Sequence, residues 1–159
     1  LMARTASVVA QAKINLFLRV LAREAGGFHQ LETLFQRLEL GDDVAVRVDV
    51  PGRALDCRGA DVGPVERNLA WRAAVAYAAG AVLRCLDALA PRPLGAHGLL
   101  ALAAPLGADV PFLTTEAPLA LAWGRGERML ALPPLPPRAV HLALFDEGVA
   151  TGPAFARLA

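Results

Sequence analysis

The chain has 159 residues, 55% of them hydrophobic and 19% charged, with 16 basic against 15 acidic side chains and a formal net charge of +1. That is enough apolar material for the core of one domain; it excludes intrinsic disorder and leaves no basic surplus for nucleic acid or anionic lipid. Cys57 and Cys85 form neither a CxxC metal pattern nor a secreted disulfide scaffold, so the expectation is a reduced, cytoplasmic protein with two buried thiols. In chain order, Ser7 to Leu21 reads as a strand, and the Gly26-Gly27 turn leads into a second extended or short helical piece. Gly41-Asp42-Asp43 signals a turn before a third, cleanly alternating strand that Pro51-Gly52 ends. Asn68 caps a helical run from Leu69. Gly80 either interrupts one long helix, at about 1 kcal/mol relative to alanine, or ends a first helix with no capping residue ahead of the next. The stretch Ala73 to Leu83 falls far short of the roughly 20 apolar residues that span a bilayer. Beyond Pro91-Arg92-Pro93 a third helix covers Leu99 to Leu106. A hairpin turns at Gly124-Arg125-Gly126, and a strand at Ala139 to Phe145 precedes a short terminal helix. Strands, then helices, then strands make an α+β order.

Of the sixteen basic residues only Lys13 is lysine. In a chain that otherwise places arginine at every positive position, a retained lysine suggests a need for a compact ammonium with movable donors. Lys13 and Asn15 share one face of a strand whose other residues are apolar, and two polar groups there require partners: a structural ion pair or a ligand. Asp109, in the apolar run LGADVPFL, either caps a helix or works as a base, and a Lys13–Asp109 pair would account for both residues. Phe28-His29 after the double glycine either anchors the loop or offers a ring face and a hydrogen-bonding edge to a ligand.

In this order, AKINLFL, GGFHQLETLFQRLELGD, NLAWRAA, LGADVPFL and GRGERMLAL closely resemble the kinases of 4-diphosphocytidyl-2-C-methyl-D-erythritol. That family lies within the galactokinase, homoserine kinase, mevalonate kinase and phosphomevalonate kinase superfamily. The resemblance implies the N-terminal domain of such a kinase over residues 1–159, a mixed or antiparallel sheet packed against helices, acting in the non-mevalonate isoprenoid pathway with ATP and Mg²⁺. It implies Asp109 as the base and Lys13 as the group that orients the substrate hydroxyl. Asn15 and His29 become substrate-binding residues, with His29 on the cytosine edge, and Phe28 stacks on the ring where many members have tyrosine. The family's glycine- and serine-rich phosphate loop has no counterpart, which implies a missing segment between Gly80 and Ala81, and the C-terminal domain is largely absent. The small-molecule substrate is the expected partner, with no nucleic acid and no membrane. The alternative is a catalytically inactive truncated relic or a cytidine-nucleotide-binding module.

Overall fold

The computed structural model describes residues 2–25, 29–52, 69–141 and 143. Phe28, Cys57, Asn68 and the expected terminal helix lie outside them. Two strands of 20 residues, β1 (Arg4–Arg23) and β2 (His29–Val48), pair antiparallel along their whole length. Among the described residues three helices follow: α1 (Leu69–Leu89), α2 (Gly95–Ala103) and the short α3 (Val110–Thr114), with a 3₁₀ turn at Ala104–Leu106 between the last two. The hairpin of β3 (Leu119–Gly124) and β4 (Arg128–Leu132) then adds to β2, giving an antiparallel sheet in the order β1-β2-β3-β4. The architecture is α+β, as the element order suggests.

Gly41 departs from its expected turn role, while Gly80 takes the first of its two expected roles, inside one long helix. Gly41 does not end a strand; it stays in the β2 ladder opposite Gln11, and the ladder slips between Gln11 and Lys13. A β-carbon at Gly41 would lie 2.8 Å from the Ala10 carbonyl oxygen and 2.9 Å from Gln11 Cα, so this glycine serves close backbone approach at an irregularity. Gly80 sits in the middle of an unbroken α1, buried, where a β-carbon would meet the Leu113 backbone at 2.8 Å. The loss of helix propensity is offset by the close seating of α1 on α3. Residues 139–141, expected to open a strand, are in irregular structure.

The core forms where β2 and β3 meet α3: Phe35, Phe112, Leu113, Ala120 and Ala122, with Met129 packed against them. The Phe35 and Phe112 rings stack with centroids 5.0 Å apart. All five residues of α3 are buried. A helix this short has no stability alone, so packing and one cation hold it. The Arg37 guanidinium, above the Phe112 ring at 4.9 Å, donates to the carbonyls of Phe112 (3.1 Å), Thr115 (2.9 Å) and Ala117 (3.1 Å). It thereby satisfies acceptors at the C-terminal end of α3, where positive charge is favoured. Burial, more than the neighbouring Arg84, lowers its pKa. Cys85 is buried and unpaired, and burial pushes its thiol up. Among the described residues no helix is long and apolar enough to cross a membrane.

Candidate active site

Pairing of Lys13 with Arg37, Ile14 with Gln36 and Asn15 with Phe35 puts Lys13 and Asn15 on the face that carries the core. The Lys13 side chain is 8% exposed, unusual for an ammonium, and its surroundings explain how the charge is tolerated. Its Nζ lies 3.1 Å from Asp109 Oδ2, donates to Asn15 Oδ1 at 2.6 Å and sits 4.8 Å from the centroid of the Phe35 ring. Asn15 Nδ2 donates to the Thr33 hydroxyl at 2.8 Å, and that hydroxyl donates to the Phe17 carbonyl at 2.7 Å.

Asp109 reaches the same point from the opposite end of the sequence. It occupies the position before α3, where a carboxylate commonly caps the helix, yet its side chain makes no capping bond. The carboxylate is 46% exposed, so one side faces Lys13 while solvent or a ligand can reach it. Two glycines set its approach. Gly107, at φ 153° and ψ 157°, adopts a conformation other residues avoid. Gly126, at φ 98° in the β3–β4 turn, lies so close to the Ala108 carbonyl that a β-carbon there would collide with it. The GRG turn is therefore a buttress for the Asp109 loop as well as a hairpin.

His29 is not part of this cluster. It opens β2 opposite Arg23, on the same strand face as Leu31, Thr33 and Phe35. At roughly 3.3 Å per residue it stands about 20 Å along the strand from Phe35. The hairpin end is tied to the β3–β4 turn by a salt bridge from Arg125 to Glu24, with Arg125 Nε 3.0 Å from Glu24 Oε2. The Arg125 contact lowers the pKa of Glu24.

A separate cleft of about 270 Å³ is lined by Val8, Val9, Gln11, Arg37, Arg84 and Glu116. Its charges are committed: Arg84 meets Glu116 at 2.5 Å and Arg37 holds the α3 carbonyls. None of the expected site residues lines it. Sequence reasoning missed Thr33 and Arg37. Both interrupt the β2 face that carries Leu31 and Phe35, four residues apart, and the same kind of polar interruption singled out Lys13 and Asn15 on β1.

No family model matches the chain. Similarity to individual proteins is extensive. A 4-diphosphocytidyl-2-C-methyl-D-erythritol kinase from Deinococcus radiodurans is 38% identical over 180 aligned positions, covering 92% of this chain and 58% of the relative. One from Nocardia farcinica is 36% identical over 187 positions, covering 95% and 59%, and one from an Anaeromyxobacter species is 40% identical over 168 positions, covering 80% and 50%. The chain thus spans about half to three-fifths of the length of these relatives. Each match also runs over more positions than the chain's 159 residues, so every relative holds residues inside the matched span that have no counterpart here. With identity of this level over most of its length, the chain is similar to 4-diphosphocytidyl-2-C-methyl-D-erythritol kinases, which supports the resemblance carried by its motifs.

Proposed function

We propose that the chain carries the acceptor-side chemistry of an ATP-dependent kinase that phosphorylates a hydroxyl of 4-diphosphocytidyl-2-C-methyl-D-erythritol in isoprenoid precursor synthesis. The observation that carries the reading is the 3.1 Å contact between Lys13 and Asp109, two residues of separate motifs joined beside a partly open carboxylate. In this reading Asp109 accepts the proton of the substrate alcohol while the alcohol oxygen attacks the γ-phosphorus of ATP. The bond from that phosphorus to the bridging oxygen breaks and ADP leaves. Lys13 orients the carboxylate and directs an N–H toward the alcohol oxygen. His29, far along the same strand face, calls for an elongated ligand, which a nucleoside diphosphate ester of a sugar alcohol is; His29 reads the cytosine edge and Phe28 supplies the stacking face. Asn15 completes the substrate side.

The donor side is thinner. The only serine of the chain is Ser7 in β1, so the sequence holds no serine-rich phosphate loop. We assign that loop to the residues that the relatives carry and this chain lacks, entering between Gly80 and Ala81, with residues 1–159 corresponding to the N-terminal domain of the superfamily. Among the described residues no group of three or more histidine, cysteine, aspartate or glutamate side chains could hold a metal. The described residues therefore form no cage for Mg²⁺, and no step is assigned to a protein-bound ion.

The test is a phosphoryl-transfer assay on the chain as it stands and on a form with a relative's intervening segment restored between Gly80 and Ala81. Transfer is expected to rise on restoration, and Asp109→Asn in that form is expected to lower turnover roughly 10²- to 10⁴-fold with affinity for the cytidine compound nearly unchanged. A restored form that transfers no phosphate, or an Asp109→Asn variant with near-normal turnover, overturns the reading.

A further inference from the structure

The geometry points to Thr33 as a positioning residue for the Lys13–Asp109 pair, acting through the carboxamide of Asn15; this deepens the kinase reading and rests on it. Thr33 is completely buried in β2, and as a strand residue it looks like β-branched filler, a role valine would serve equally well. Its hydroxyl is what valine lacks. A hydroxyl has one proton, and here it goes to the Phe17 carbonyl, which can only accept. Toward Asn15 the same oxygen can therefore only accept, so the group facing it at 2.8 Å must be Nδ2. That choice turns Oδ1 toward the Lys13 ammonium at 2.6 Å; the reversed amide would set acceptor against acceptor at Thr33 and donor against donor at Lys13.

The direction of every bond in the series is thus determined by one backbone carbonyl. Phe17 follows a register slip between Asn15 and Phe17, where an extra residue on β1 bends the strand. Asn15 lies at the open edge of the cluster, and Thr33 is the buried point to which it is moored. With Asn15 moored, Lys13 meets a fixed neutral acceptor, the Asp109 carboxylate and the Phe35 ring. Without the mooring, the carboxamide turns at the exposed edge of the cluster, and Lys13 loses the acceptor that sets its direction toward Asp109.

The composition supplies an unusually direct test, because Lys13 is the only lysine. In the full chain labelled with ¹⁵N-lysine, every lysine ammonium signal belongs to Lys13. Wild type and Thr33→Ser are expected to share one exchange-protected ammonium signal. Thr33→Val is expected to move that signal and speed its proton exchange at least about tenfold, the scale of one lost hydrogen bond to a charged network. A Thr33→Val protein with the wild-type signal and exchange rate overturns the proposal. Should that variant fail to fold, the wild-type Asn15 carboxamide decides, identified by its loss in Asn15→Ala: slowed proton exchange supports the mooring and free-chain exchange overturns it. A chain that shows the mooring yet transfers no phosphate after loop restoration defeats the kinase reading alone, so the two failures are distinguishable.

Discussion

The middle of the β1–β2 hairpin and its His29 end are held by different physics. At mid-strand, beside Asp109, the nearly buried Lys13 ammonium is surrounded by a carboxylate, a hydrogen-bonded carboxamide and an aromatic face, above a stacked Phe35–Phe112 pair clamped by Arg37. At the His29 end the ties include the strand ladder and the solvent-exposed Glu24–Arg125 bridge. Buried, mutually oriented groups fix geometry closely, whereas exposed ion pairs contribute little and yield to salt. Such a division suits a site whose reacting atoms need fixed geometry and whose recognition end must admit and release a ligand.

Three measurements break or sharpen that contrast. The largest effect is expected from Phe112→Ala, which removes the ring under Arg37 and against Phe35: about 3–5 kcal/mol lower unfolding free energy in a denaturant titration. A loss below about 1 kcal/mol would mean that the pair is not seated on a rigid base. Next, His29→Ala is expected to weaken binding of the cytidine compound about tenfold by calorimetry, roughly 1.4 kcal/mol, while leaving stability nearly unchanged. Equal affinity in wild type and variant would detach the hairpin end from recognition. The smallest effect belongs to Glu24→Gln. Because Arg125 lowers the pKa of Glu24, the bridge contributes above the ordinary glutamate value of 4.5 and is lost as pH falls through the lowered one. The variant's melting temperature should therefore depend less steeply on pH in the acid range, with a difference that shrinks further at high salt. An unchanged acid dependence would remove the bridge from the account.

Periodicity in the sequence placed the Lys13 and Asn15 side chains on one face, because that inference needs only the alternation of a strand. It did not reveal that Gly41 remains in a ladder, since Gly-Asp-Asp reads as a turn unless the close approach of Ala10 and Gln11 is known. Asp109 was ambiguous for a related reason. The residues around it favour a cap, and only the fold brings Lys13 near enough to compete for the carboxylate. Thr33 and Arg37 were overlooked because their significance lies in partners distant along the chain: a carbonyl beside a bulge for one, the end of α3 for the other. Local pattern reports which way a side chain points; what it meets there is a property of the tertiary arrangement.

The seat of Gly80 on Leu113 has a corollary for how this chain relates to its longer relatives. That contact pins one point of α1 to the strut carrying Asp109, so a segment spliced in after Gly80 enters beside a fixed fulcrum. A graft that loops outward can leave the fulcrum loaded, whereas one that rewinds the helix shifts the load onto the acidic residue's support and misaligns the opposite shore of the cleft it was meant to complete.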